Sequence, residues 1–293
     1  MQLLDGKKTA EVCKRSLAEE VATIAANGYR KPHLAAILVG TDGASETYVG
    51  SKVKSCEKIG FDSTLVRFDP DVTEERLLEE VQRINADPSI DGLIVQIPLP
   101  AHISAGRVTM EIDAEKDVDG FHPQSIGRLA LGIPGFVPAT PKGIMMLLAH
   151  YNIDTSGMHA VIIGRSNIVG MPMSLLLSRN ANPGNCTVTL CHSRTKDLKS
   201  FTLQADIIVA ALGKPGFLKE DMVKQGAIVI DVGITRIKDE SMEKGYRISG
   251  DVDFENVAGK TSWITPVPGG VGAMTIAALM QNTLDAYKRH LSF

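Results

Sequence analysis

The sequence predicts an α/β protein of two domains, each built on a parallel sheet. Three observations carry that prediction. Short apolar runs alternate with stretches of helical period in both halves of the chain, as in strands buried on both faces. Residues 98–139, between the two patterns, are less regular and rich in glycine and proline. The length of 293 residues suits about two domains at roughly 100–200 residues each.

In the first half, residues 34–40 read as a buried strand, and residues 45–59 as a helix that Gly60 stops. Residues 61–68 alternate with the period of two that a strand requires. Residues 73–86 are helical, with Thr73 as N-cap and Glu74 and Glu75 in the first turn, where they complement the helix dipole. Residues 90–97 form a third strand, ended by Pro98 and Pro100. This alternation implies right-handed crossovers. Thr140 is expected to cap a helix that begins at Pro141 and covers residues 144–151. In the second half, residues 159–164, 187–192, 206–213 and 227–231 read as strands. Residues 171–179 read as a helix with Pro172 in its first turn, and residues 273–290 as the final helix.

Composition is that of an ordinary globular protein: 44% hydrophobic, 22% charged, formal net charge −3. Lysines and arginines are scattered, so neither nucleic acid nor a membrane is expected as a partner. The first residues lack a basic segment followed by an apolar one, and no apolar run reaches membrane-spanning length. The four cysteines form no CxxC pair, and reduced, partly buried thiols in a cytoplasmic protein are expected over a Cys186–Cys191 cross-strand pair. The seven histidines have no metal-binding spacing, so no metal site is expected.

Gly164, Arg165, Ser166 and the following residues to Pro172 join a strand to a helix. In a doubly wound domain of the Rossmann type, free N–H groups and the helix dipole meet a dinucleotide pyrophosphate at this point. The match to GxGxxG is imperfect, because Ser166 takes the second glycine's place and Gly170 lies one residue late. A tight turn that binds nothing has the same form. The next strand supports the binding reading. It runs into His192, Ser193 and Arg194 with no acid for a ribose 2′-hydroxyl. A hydroxyl and a guanidinium there, with Arg165 nearby, suit a 2′-phosphate and favour NADP over NAD.

Tyr48 and Lys52 are four apart on the helix after the first strand and so share a face. Gln96 ends the third strand, and Asp119 follows in Lys116–Asp117–Val118–Asp119–Gly120. In open parallel sheets, ligands bind beyond the carboxyl ends of the strands. A ring packed along a solvated lysine stem accounts for the Tyr–Lys pair equally well, and Asp117 and Asp119 are equally read as turn-forming carboxylates.

The segments TYVGSKVKSCEKIG, GLIVQIPLP, KDVDGFHP, PATPKGI, GRSNIVGMPMSLLL, KPGF, GAIVIDVGI, SGDVDF and ITPVPGGVGAMT occur in this order. Together they closely resemble the bifunctional methylenetetrahydrofolate dehydrogenase/methenyltetrahydrofolate cyclohydrolase family over nearly the whole chain. The resemblance implies a catalytic domain of residues 1–139 plus 273–293 and a Rossmann-type NADP-binding domain of residues 140–272, with the active-site cleft between them. It implies oxidation of 5,10-methylenetetrahydrofolate with NADP⁺, then hydrolysis to 10-formyltetrahydrofolate in the same site. Lys52 matches the catalytic lysine, Tyr48 the tyrosine that packs on the folate ring system, Gln96 the glutamine that tunes the lysine, and Asp119 the aspartate that recognises the pterin. Pro268, Gly269 and Gly270 match a loop that lines the folate site. Gly164, Arg165, Ser166, Ser193 and Ile234 match NADP contacts, to which the strand-end argument adds Arg194. The family's usual PGGVGPMT reads here with Ala273 for proline, which loosens the expected start of the last helix. The resemblance also implies a homodimer through the second domain. A dehydrogenase without cyclohydrolase activity is the alternative, and the presence of Tyr48, Lys52, Gln96 and Asp119 together opposes it.

Overall fold

The computed structural model describes residues 1–242 and 245–291. The chain opens with β1 (Gln2–Leu3) and α1 (Gly6–Ala26). It continues through β2 (His33–Val39), α2 (Gly43–Ile59), β3 (Asp62–Phe68), α3 (Glu74–Asn85), β4 (Gly92–Val95), α4 (Ala105–Glu111) and α5 (Pro123–Leu131). Next come α6 (Ala139–His150), β5 (His159–Ile163), α7 (Gly170–Ser178), β6 (Thr187–Cys191), α8 (Leu198–Thr202), β7 (Ile207–Ala210) and β8 (Ile228–Asp231). An antiparallel pair, β9 (Thr235–Lys238) and β10 (Tyr246–Ser249), precedes α9 (Phe254–Val257), β11 (Trp263–Ile264) and α10 (Val271–His290). Two compact units result. One comprises Met1–Ala10 and Thr140–Thr275, the other Glu11–Ala139 and the chain from Ile276 onward.

The second of these units holds a three-stranded sheet in the order β3-β2-β4, parallel throughout. Ile37, Val39, Leu93 and Val95 on one face pack with Leu77, Val81 and Ile84, the buried stripe of α3. The Thr73 side chain caps α3 by accepting the Arg76 N–H, and Gly60 ends α2 in the left-handed region at φ 91°. β4 is shorter than the run that suggested it, yet the Gln96 N–H still donates to the Ile37 carbonyl, one step past the strand. The chain between β4 and α6 holds two helices where sequence reading expects irregular structure. Ser104 caps α4, and His122 caps α5.

The unit containing β5 to β11 has a six-stranded sheet in the order β1-β11-β8-β7-β5-β6, again all parallel. β5 has β6 on one side and β7 on the other, so the winding direction reverses at its carboxyl end. Two expectations need correction. Thr140 is not an N-cap, because α6 already begins at Ala139, and the Thr140 hydroxyl instead bonds that of Thr275 at 3.1 Å. Residues 1–10 group with the six-stranded unit rather than with residues 11–139. Gln2 and Leu3 extend that sheet beside Trp263 and Ile264, and Leu4 is fully buried. α10 starts at Val271, two residues before the expected point, and Ala273 lies in its first turn without preventing helix formation.

Candidate active site

In the three-stranded unit, α2 leaves the carboxyl end of β2, capped by the Asp42 carboxylate on the Ser45 N–H. Its buried face carries Ser45, Val49, Lys52, Ser55, Cys56 and Ile59. Lys52 is therefore on the inward stripe and only 4% exposed, so the picture of a solvated lysine stem does not hold. Its Nζ donates to Gln96 Oε1 at 3.2 Å, lies 4.0 Å from Asp119 Oδ2 and sits 5.0 Å from the Tyr48 ring centroid. The Gln96 Nε2 donates to the Ile97 carbonyl, which leaves its oxygen turned to the amine. Four residues from three separate segments thus meet around one nitrogen. Burial lowers the Lys52 pKa below the ordinary lysine value, and the Asp119 charge opposes that shift.

The two aspartates of the 116–122 segment divide their tasks. Asp117, 2% exposed, accepts from the Phe121 and His122 N–H groups and from the Ser125 hydroxyl, and so closes the turn. Burial pushes its carboxyl up to about 6. Gly120 sits at φ 74°, and a Cβ there would lie 2.7 Å from the Pro138 nitrogen. The turn therefore has one shape, and it presents Asp119 to Lys52. Sequence reading gave no role to Lys116, whose ammonium donates to the Ile84 and Asp87 carbonyls at the end of α3. It also passed over Asn282, whose amide nitrogen donates to the Val118 and Val137 carbonyls on either side of the Gly120 contact. Lying between Gln281 and Thr283, Asn282 carried no distinguishing signal in the sequence.

In the six-stranded unit, Gly164 follows β5 where the sheet winding reverses. A Cβ on Gly164 would lie 2.2 Å from the Ala211 carbonyl oxygen, and one on Gly170 would lie 2.0 Å from the Gly164 oxygen. The two glycines let strand, turn and helix pack at backbone contact. The Ser166 hydroxyl accepts the Val169 N–H, while Arg165 and Ser166 are exposed at the opening of α7. Beyond β6, His192 shapes the loop: its Nδ1 accepts the Arg194 N–H and its N–H donates to the Thr195 hydroxyl. Ser193 and Arg194 are exposed there. Ile234, 55% exposed, follows β8, and a Cβ on Gly272 would lie 2.9 Å from its Cδ1. Pro268, Gly269 and Gly270 also belong to this unit. The Gly269 carbonyl accepts the Lys7 N–H, and a Cβ on Gly6 would lie 2.0 Å from the Gly270 oxygen. Tyr48, Lys52, Gln96 and Asp119 are thus brought together in one unit, and the candidate dinucleotide residues with the 268–270 loop lie in the other.

Residues 4–119 match the tetrahydrofolate dehydrogenase/cyclohydrolase catalytic domain, and residues 138–291 match the NAD(P)-binding domain of the same family. The chain belongs to the tetrahydrofolate dehydrogenase/cyclohydrolase family. It is an enzyme with both activities. Among similar members of the tetrahydrofolate dehydrogenase/cyclohydrolase family is the bifunctional protein FolD of Flavobacterium johnsoniae, 62% identical over 98% of this chain and 98% of that protein. Among solved members, FolD from Campylobacter jejuni is 48% identical with a TM-score of 0.92, covering 99% of both chains. The Trypanosoma brucei enzyme, solved with NADP cofactor and inhibitor, is 37% identical with a TM-score of 0.93, covering 99% of this chain and 98% of its own.

Proposed function

We propose that the chain oxidises 5,10-methylenetetrahydrofolate to 5,10-methenyltetrahydrofolate with NADP⁺ and hydrolyses the product to 10-formyltetrahydrofolate, with Lys52 as the proton-handling residue. The observation that carries this reading is the buried Lys52 amine between Gln96, Asp119 and the Tyr48 ring. The six-stranded unit fits a dinucleotide: Gly164 and Gly170 remove side chains from the turn at the sheet's switch point, and the loop after β6 presents Ser193 and Arg194 with no acid. The nicotinamide, when bound, supplies the hydride-accepting carbon. A hydroxyl and a guanidinium beyond β6 suit a 2′-phosphate, which supports NADP over NAD.

The methenyl product carries a positive charge on an amidine-like carbon, already activated toward water. Addition of water at that carbon releases a proton, and opening of the ring requires one at the departing nitrogen. An amine with a lowered pKa takes up the first and delivers the second. Gln96 holds the amine through a neutral oxygen, so it does not lock Lys52 in the charged state as a hydrogen-bonded carboxylate would. Asp119 offers acceptors to the N–H donors of a pterin edge, and Tyr48 offers a ring face for the bicyclic substrate. Pro268, Gly269 and Gly270 are assigned to folate binding by the family resemblance alone.

Free thiols at all four cysteines suit a cytoplasmic enzyme, and the chain works as a homodimer. The deciding experiment follows NADPH and methenyltetrahydrofolate together at two wavelengths, starting from methylenetetrahydrofolate and NADP⁺. Transient methenyltetrahydrofolate followed by 10-formyltetrahydrofolate is expected. NADPH formation with methenyltetrahydrofolate decaying only at its uncatalysed rate would refute the cyclohydrolase half.

A further inference from the structure

Two buried carboxylates in the six-stranded unit take no part in the chemistry above. Asp251 is fully buried and Asp231 is 3% exposed. The Asp251 carboxylate accepts three successive backbone N–H groups, from Leu212 at 2.6 Å, Gly213 at 2.9 Å and Lys214 at 2.7 Å. These residues form the loop at the carboxyl end of β7. Asp231, the last residue of β8, accepts the N–H groups of Gly233, Asp251 and Val252. Two like charges side by side are unfavourable in a dry interior unless each is well solvated by donors. Here each carboxylate has three backbone N–H groups doing that work, and all of them belong to loops at one edge of the sheet.

The surrounding glycines show that the arrangement is tight. A Cβ on Gly233 would lie 2.5 Å from the Asp251 carboxyl carbon, and one on Gly250 would lie 1.9 Å from Asp231 Oδ2. The Gly216 and Leu218 N–H groups donate to the carbonyls of Gly250 and Asp251, tying the 214–217 segment to the same knot. Residues of three segments named above, KPGF, GAIVIDVGI and SGDVDF, thus converge on this pair.

One of the held loops borders the dinucleotide turn. Ala211, next to Leu212, donates its N–H to the Ile163 carbonyl, and its own carbonyl is what forbids a side chain on Gly164. Gly233 precedes Ile234. A row of N–H groups such as 212–214 is by itself a site for an anion. Asp251 fills it from within, which fixes the loop and keeps a phosphate out of it.

We infer that Asp251, seated by Asp231, is a positioning residue for the dinucleotide: it sets the 211–214 loop against the Gly164 turn, and so governs cofactor binding without touching the cofactor. This rests on the dinucleotide reading of the Gly164 turn. The two reactions provide a clean readout, because hydrolysis of methenyltetrahydrofolate consumes only water. In Asp251→Asn one of the acceptor positions becomes a donor facing an N–H group. The expected result is a KM for NADP⁺ raised about tenfold or more, with cyclohydrolase kcat and KM, measured on supplied methenyltetrahydrofolate, within about twofold of the parent.

An unchanged KM for NADP⁺, or an equal loss of both activities in a folded variant, would overturn the inference. Gly213→Ala is the second variant: nothing lies within 4 Å of its Cβ, so it acts only through the strained φ of +67° in the held loop. It should raise the KM for NADP⁺ and spare hydrolysis. If Asp251→Asn does not fold, Gly213→Ala decides by the same criterion. Ser193→Asp distinguishes loss of the dinucleotide site from loss of the positioning role. If it leaves NADP⁺ binding unchanged, the dinucleotide reading itself fails. If it weakens NADP⁺ while the Asp251 and Gly213 variants do not, only the positioning role fails.

Discussion

At the scale of single residues, Lys52 is defined by burial rather than by charge. A lysine on an exposed helix face keeps its proton far above neutrality. Lys52 loses water on the inward stripe of α2, and its pKa falls despite the opposing Asp119 charge. Lys52→Met is expected to cut the cyclohydrolase rate by about 10²-fold or more while leaving the circular dichroism spectrum unchanged. A normal ring-opening rate in the folded variant would remove the assigned role. The sign of the pH effect follows from the same burial. The free amine becomes populated at a lower pH than in an exposed lysine, so a limb of the cyclohydrolase pH profile should rise below 10.5 and vanish in Lys52→Met. In the other unit, Ser193→Asp should weaken NADP⁺ more than NAD⁺, because the added carboxylate opposes only the 2′-phosphate. Equal losses in the two dissociation constants would exclude that explanation. Sequence made Tyr48 and Lys52 share a face but could not say which way it turned. It left Asp117 and Asp119 equivalent, because their separation depends on Gly120 meeting the Pro138 backbone, far along the chain.

At the scale of elements, the turn that presents Asp119 is pinned from α10. Asn282, 1% exposed, spends its amide nitrogen on the Val118 and Val137 carbonyls. Asn282→Ala leaves both without that donor and should lower stability by about 2 kcal/mol, roughly one for each bond. The shift of the urea midpoint measures it, and a change under about 0.5 kcal/mol would mean that other donors replace the amide. Helix and strand identities with strong periodicity were readable, down to the Thr73 cap and the Gly60 stop. Elements that tertiary contacts define were not. α4 and α5 are short and lie among glycines and prolines. β1 is two residues long and has no period to detect. The Thr140 prediction followed a sound capping rule, but α6 extends one residue earlier and the Thr140 hydroxyl has a partner in Thr275.

At the scale of the whole molecule, two parallel sheets with their own cores were legible because strands buried on both faces need continuous apolar runs. The chemistry named for each sheet came from long ordered motifs, since composition alone is that of any globular protein. A homodimer is expected to scatter light as a particle of twice the 31.5 kDa chain mass. The mass of a single chain at micromolar concentration would exclude it. The placement of β1 has a practical consequence for dissecting the enzyme. A fragment of residues 140–275 lacks its own edge strand, exposes the open side of β11 to aggregation and loses the Gly6 backbone beneath Gly270. Such a fragment should become soluble only when a synthetic peptide of the first ten residues is supplied, which makes the amino terminus a complementation tag for the cofactor-binding half.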